Sequence, residues 1–445
     1  MYSELYGFAR MYLFPDGDVI RQNLRELEHT QWISREELEA IQLKKIQNLV
    51  AYAYEHVPFY GKWYHQEGIH PQDIKSFKDF KALPFLTRDD VINNLESLVA
   101  TGYHGKVFED KTGGSTGRPM HFFMDQSTAL WSAAIETRHR GWYGVKFGDK
   151  RAWVWGNLKD FPSWKKKDRL AAYIKRYRYL NAHTLTEQNM DSFAAILEKW
   201  KPAMFRAYPS ALYIFAQYIK DKNRFSIRPK LIETSGEKLS EIQKNTIAEV
   251  FSAPIAEHYS SWEIYSIAYH CPQGGYHVSE DRYLEIVDDA GNQVENGNIG
   301  EVVVTSLNQY AMPFIRYKNE DCAIYETKNC NCGRSMPTLR EVVGRFQDLL
   351  MRPDGQIVYG SIVDYLTHDK PEVKQFQVYQ KDKYNLEVRL VLKCKINKDW
   401  ESRFIKELEE FFSSDMKIKI QIVDEIKLTE AGKLRTVISD IHAVL

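Results

Sequence analysis

Between Arg35 and Tyr54, apolar residues fall at Leu38, Ile41, Ile46, Leu49, Val50 and Ala53. Steps of three and four put them on one side of a helix, so an amphipathic helix is predicted there. Thr87 opens a T-x-x-D signature that starts another helix by capping its first turn. Ala152 to Trp155 reads as a buried strand. A strand–helix–strand rhythm then appears. Leu231 to Thr234 is strand-like, Gly236 breaks it, and Ser240 with Gln243 forms a helix start. Ile242, Ile247 and Val250 give that helix an apolar stripe, and Pro254 to Tyr259 reads as the next strand. Such alternation predicts a parallel sheet covered by helices. From about Asp348 the pattern changes. Strands are predicted at Val373–Tyr379 and Leu386–Leu392, a helix at Trp400–Phe412 and a last strand at Ile418–Val423. The expected organisation is α/β, with a large domain over residues 1–347 and a small α+β domain over 348–445.

Composition narrows the function. The chain has 445 residues, with 60 Lys and Arg against 60 Asp and Glu. Zero net charge argues against a broad nucleic-acid-binding face, which needs clustered excess cations. With 44% apolar and 27% charged residues, disorder, collagen and coiled coil are excluded as dominant states. No apolar run approaches the roughly 18 residues that cross a bilayer. The start lacks a basic segment followed by an uninterrupted apolar one, so no signal peptide is expected. Cys271, Cys322, Cys330, Cys332 and Cys394 are too few for a disulfide scaffold in so long a chain. A reducing cytoplasmic setting follows as the expectation.

The densest chemical signal is Lys111-Thr-Gly-Gly-Ser-Thr-Gly-Arg-Pro119. Glycines let backbone N–H groups approach phosphate oxygens closely, and the hydroxyls add donors. The spacing is not that of a Walker A loop, since Arg118 and Pro119 follow Gly117. The plainer alternative is a flexible Gly/Ser turn. Thr234-Ser-Gly-Glu-Lys238 lies in a strand-to-helix loop, where nucleotides rest in open α/β sheets. Tyr259-Ser-Ser-Trp-Glu263, Arg316 to Asp321, Gly344 to Asp348 and Thr429-Glu-Ala-Gly-Lys433 follow in order.

In this order the motifs resemble the adenylate-forming superfamily of acyl- and aryl-CoA ligases and adenylation domains. Within it the chain looks most like the phenylacetate-CoA ligase family and its capsule-biosynthesis, CapK-like branch. The resemblance spans nearly the whole chain. It implies a large adenylate-forming domain with mixed and parallel sheets covered by helices, plus a small C-terminal domain on a hinge near Asp348. It implies that Thr112, Gly113, Gly114, Ser115, Thr116 and Gly117 hold the ATP phosphates. Gly236 and Glu237 would form the adenine-side loop, and Tyr259 would stack near adenine. Glu263 would help hold Mg²⁺, Asp321 would accept the ribose hydroxyls, and Arg345 would reach the nucleotide. Lys433 would touch the carboxylate and the α-phosphate, and with Glu263 carries the catalytic assignment. Residues near Tyr208-Pro-Ser210, Trp262 and the stretch Trp131 to His139 would approach the acyl group. The chain departs from the family pattern at Ser260, at Gln347 and at Asn319-Glu320. None of these positions carries an assigned charge role. In isolation, Asp321, Arg345 or Lys433 would read as a solvated or paired surface charge.

The implied reaction is ATP-dependent activation of a carboxylic acid to an acyl-adenylate, then transfer to a thiol, with coenzyme A as the leading acceptor. A second reading sends the acyl group to a sugar or carrier protein. A third is a nucleotide-binding homologue without turnover. Expected partners are a small carboxylic acid, ATP and the acceptor, with no nucleic acid and no membrane span. A homodimer is compatible with the sequence.

Cys330-Asn-Cys332 forms a tight C-x-C turn, and Cys271 with His277 lies upstream. Four Cys and His ligands suit tetrahedral Zn²⁺, so a structural zinc site is expected at Cys271, His277, Cys330 and Cys332. His270 and His258 are rival fourth ligands. The alternative is packed, reduced thiols. Cys322 and Cys394 read as small buried apolar residues, Cys394 on a strand.

Overall fold

The predicted amphipathic helix forms at Arg35–His56, opened by a Ser34–Glu37 capping box and ended before Pro58. Pro58 suits the first position of the following helix, where its missing N–H is no loss. One expectation is corrected. Ile41 turns outward, and Gln42 takes the buried position instead. Its amide reaches the carbonyls of Glu280 at 2.9 Å and Arg282 at 3.3 Å, which satisfies a polar group that would otherwise be costly to bury.

The computed structural model describes residues 15–112, 120–156, 172, 176–182, 184–326, 328–345, 349–355, 357–359, 370, 372–427 and 434–441. Among them, eleven strands make one mixed sheet. Its parallel half runs Ile255–Tyr259, Leu231–Thr234, Met204–Ala207, Arg151–Trp155 and Tyr177–Asn181. Helices Glu187–Trp200, Pro209–Asp221 and Glu241–Phe251 cover one face through Phe193, Leu212, Phe215 and Phe251. Helix Gln126–Gly141 lies on the other face, where its Arg140 pairs with Glu233 of the sheet. The antiparallel half runs from Ala268–His270 through Tyr276–Val278, Thr338–Arg345, Tyr317–Glu326 and Ile299–Ser306 to Arg282–Val287. The predicted capping boxes at Thr87 and Ser240 both form. Each cap contributes on the order of 1 kcal/mol to its helix.

The C-terminal residues build a separate four-stranded sheet, ordered Lys417–Ile422, Asn385–Leu392, Val373–Asp382 and Val437–Ser439. Helix Lys398–Phe412 packs Trp400, Phe404, Leu408 and Phe412 against it. Two expectations are corrected here. Ile418–Val423 is not the last strand, since Val437–Ser439 pairs in parallel with Val378–Gln380. Cys394 is exposed and lies beyond the end of its strand at Leu392, whereas Cys322 is buried as expected. No helix among the described residues is long and apolar enough to cross a membrane.

Candidate active site

The parallel strands end in loops that gather the predicted residues. Gly236 follows Leu231–Thr234 with φ +83°, a left-handed conformation that glycine adopts without a Cβ penalty. Next to it, the Glu237 carboxylate accepts from the Ser210 backbone N–H and hydroxyl, both at 3.0 Å. The backbone N–H of Leu434 donates to the same carboxylate at 3.2 Å. The residue directly after Lys433 therefore sits against the loop predicted to face adenine.

Tyr259 ends the neighbouring strand, and its hydroxyl donates to Asp321 at 2.9 Å. Asp321 lies on strand Tyr317–Glu326, paired in register with Arg345 of Thr338–Arg345. The Arg345 Nε stands 3.1 Å from the other Asp321 oxygen, and its Nη1 reaches Glu320 at 3.3 Å. Coulomb attraction to Asp321 leads the causes that raise the Arg345 pKa. Asn319 completes the cluster: its amide donates to Tyr259 at 2.8 Å and to Asp321 at 3.1 Å. In the sequence Asn319 stands out only as a departure from the family pattern. The signal that could have found it is its spacing, two residues before an acid on one face of a strand.

Glu263 is buried, and desolvation pushes its pKa up, with Arg345 and Arg88 opposing. It makes no salt bridge among the described residues. A desolvated carboxylate without a paired cation suits a hard divalent ion. Thr112 sits at the turn end of the hairpin Val107–Lys111/His121–Asp125, just past the Lys111–His121 pair. Its backbone N–H donates to Met120, its hydroxyl accepts from the Met120 N–H, and Arg88 reaches that hydroxyl at 3.2 Å. Gly113, Gly114, Ser115, Thr116, Gly117, Asp348 and Lys433 lie outside the described residues.

The Cys/His residues form a second cluster. Cys271 lies in the turn between Ala268–His270 and Tyr276–Val278, and His277 sits on the second of these strands. Cys330 and Cys332 flank a turn that Gly333 closes with φ +81° and a bond to the Cys330 carbonyl. The four donor atoms lie within 4.8 Å of one another. Cys271 and Cys330 sulfurs are 3.7 Å apart, and His277 Nε2 is 3.1 Å from the Cys332 sulfur. The rival rings are engaged elsewhere, His258 Nε2 with the Ser266 hydroxyl at 3.2 Å and His270 Nδ1 with the Tyr143 hydroxyl at 3.4 Å. Of the aromatics expected near an acyl group, Tyr208 stacks on Trp155 at 4.0 Å, while Trp262 packs against the core of the antiparallel half.

Comparison with known proteins places this geometry. The chain has the fold of the adenylate-forming CoA ligases: it superposes on 2-hydroxyisobutyryl-CoA ligase in its postadenylation state with a TM-score of 0.73 and 21% identity, covering 93% of this chain and 92% of that one. Residues 350–440 match the family model of the CapK C-terminal domain. Protein CapK of Staphylococcus aureus is 25% identical over 412 residues, 90% of this chain and 89% of that protein. The phenylacetate-coenzyme A ligase of Thermus thermophilus is 24% identical over 353 residues, 77% of each. The similarity to the phenylacetate-CoA ligase and CapK group, carried first by the motifs, is thus shown at the level of sequence and fold.

Proposed function

We propose that the chain is an AMP-forming acid–thiol ligase. The carboxylate of a small acid attacks the α-phosphorus of ATP, the bond to the bridging oxygen breaks, and pyrophosphate leaves. A thiol, with coenzyme A as the leading candidate, then attacks the acyl carbonyl and expels AMP. The observation that carries this reading is the bond from Leu434 to Glu237. It sets Leu434, the residue after Lys433, against the loop at the carboxyl ends of the parallel strands, the end where ligands rest in open α/β sheets.

In this reading the ribose hydroxyls are taken by Asp321, which Tyr259, Asn319 and Arg345 hold in place. Adenine lies against Tyr259 and the Gly236–Glu237 loop. Thr112 to Gly117 wrap the phosphates, and Lys433 stabilises charge on the α-phosphate as it develops. Glu263 would hold Mg²⁺, which neutralises phosphate charge when bound. No general base is needed for the first step, because the acid is already ionised at neutral pH. Residues 348–445 move as a hinged unit between the two half-reactions.

The resemblance to the CapK-like branch, whose C-terminal domain model matches residues 350–440, leaves open a second acceptor, a sugar or carrier protein. The deciding experiment gives the protein ATP, Mg²⁺, coenzyme A and a panel of aryl and acyl acids. AMP and thioester formed together support the first reading. AMP formed only with a carrier protein or sugar supports the second.

We also propose that Cys271, His277, Cys330 and Cys332 hold a structural Zn²⁺. Three thiols and an imidazole converging within 4.8 Å match its ligand preference. Metal analysis should find close to one zinc per chain, lost in Cys330→Ser. Clearly substoichiometric metal in the purified protein contradicts the site.

A further inference from the structure

Charged residues interrupt two buried parallel strands at one level. Arg206 and Glu233 are register partners, each one residue before the end of its strand. Buried parallel strands ordinarily read as apolar runs, so paired charges there need a reason. Both side chains meet helix Gln126–Gly141. Arg140 grips Glu233 with two bonds of 2.8 Å and reaches Glu136 at 2.7 Å. Arg206 Nη1 donates to Glu136 at 3.0 Å and stands 3.4 Å from Glu233. The Tyr269 hydroxyl adds a bond to Glu233 at 2.9 Å.

The cluster has a closed end and an open end. The Glu233 side chain is 0% exposed and that of Arg140 9%, whereas Arg206 keeps 17% and Glu136 18%. Among the described residues, Arg206 uses only Nη1 for hydrogen bonds and Glu136 only Oε2. Among these residues the Arg206 Nε and Nη2 donors and the Glu136 Oε1 acceptor have no hydrogen-bond partner. Nearby, the buried Ser132 hydroxyl and His258 Nδ1 have no partner among the described residues. The walls are aromatic. The Arg206 guanidinium lies 5.7 Å from both the Trp153 and Trp155 rings, and Trp155 stacks on Tyr208. Arg206 is two residues from Tyr208, about 7 Å along an extended strand. Glu233 stands just before the Ser235–Gly236–Glu237 loop. The open end therefore lies on the two strands whose carboxyl ends lead into Tyr208 and that loop.

We infer that the acid carries, several ångströms beyond its carboxylate, a hydroxyl or amide group that accepts from Arg206 and donates to Glu136 against the Trp155–Tyr208 wall. The inference rests on the proposed acid-activating site and names its substrate class. An acid lacking the group leaves these buried donors and acceptors unanswered, and sites built on hydrogen bonds discriminate strongly for that reason. Because Arg206 and Glu136 already hold each other, the preference expected is about ten- to a hundredfold.

The test uses matched acids differing by one distal hydroxyl: 4-hydroxyphenylacetate with phenylacetate, and 6-hydroxyhexanoate with hexanoate. Binding is measured by ligand-observed NMR on the full chain with Mg²⁺ and α,β-methylene-ATP, and turnover by pyrophosphate exchange. At least one hydroxylated acid should bind tenfold or more tightly than its partner. Glu136→Gln should bring that ratio within threefold, and Arg206→Lys provides the same test if the first variant does not fold. Equal or better binding of the unsubstituted acids, or no binding of either, overturns the inference. Exchange with unsubstituted acids alone would do so while leaving the ligase reading intact. A Glu136-dependent preference without exchange for any acid would sustain the inference and remove the ligase reading.

Discussion

Two buried polar clusters lie in adjacent parts of the same sheet, and they are built differently. Around Glu233, two guanidiniums meet two carboxylates, and the inner end is sealed. Around Asp321, one guanidinium faces the carboxylates of Asp321 and Glu320, with Glu263, which has no salt bridge among the described residues, nearby. The first balances its charge within the protein and so can hold the helix to the sheet. The second carries excess negative charge and suits a partner brought from outside, such as a divalent cation. Removing one member of a closed pair leaves an uncompensated buried charge, whereas removing a member of an open one mainly costs the ligand.

That contrast can be broken by mutation. Glu233→Gln should destabilise the fold by about 3–5 kcal/mol, seen as a lower urea midpoint, because Arg140 loses its sealed partner. An unchanged midpoint would remove the architectural role. Asp321→Asn should instead leave the urea midpoint nearly in place and weaken ATP binding. A hydrogen bond to a charged group is worth about 1.5–3 kcal/mol, so calorimetry should show a roughly ten- to hundredfold rise in Kd. A large stability loss with unchanged ATP affinity would reverse the assignment of the two clusters.

Acid provides a smaller lever. Burial, ahead of all other causes, holds His258 down to about 4 from its ordinary 6.5, while the Glu136 and Glu233 carboxylates pull it upward. The unfolded chain then binds a proton that the folded chain refuses between these two values. Stability should therefore fall as the pH drops from 6.5 toward 4, by about 2 kcal/mol at pH 5 from this residue. His139 is shifted in the same direction, by burial first and then by Arg138. A flat urea midpoint across that window would mean that His258 is already protonated or is solvated in the native protein.

Much of this frame was legible before any coordinates. The capping boxes at Ser240 and Thr87 announce themselves because a hydroxyl and an acid or amide three residues apart satisfy the same orphan N–H groups. The convergence of Cys271, His277, Cys330 and Cys332 was legible because Cys and His at such spacing carry few other roles. What stayed hidden depends on tertiary contact. Ile41 and Gln42 exchanged burial because two carbonyls 238 and 240 residues away receive the amide. Cys394 looked apolar, but its strand ends at Leu392. The strand Val437–Ser439 is only three residues long and pairs with a distant partner, so no periodicity marks it. Arg206 lies on a strand, Met204–Ala207, that the pattern does not announce, whereas Glu233 is a charge inside a predicted apolar strand, which is itself a signal.

Pyrophosphate exchange into ATP tests the proposed chemistry most directly. The wild-type chain should exchange label in the presence of Mg²⁺ and a suitable acid, and Lys433→Ala should lose at least a hundredfold, on the order of 3 kcal/mol of barrier, while still binding ATP. Full exchange by that variant, or ATP binding by the wild type without exchange for any acid, would contradict the account.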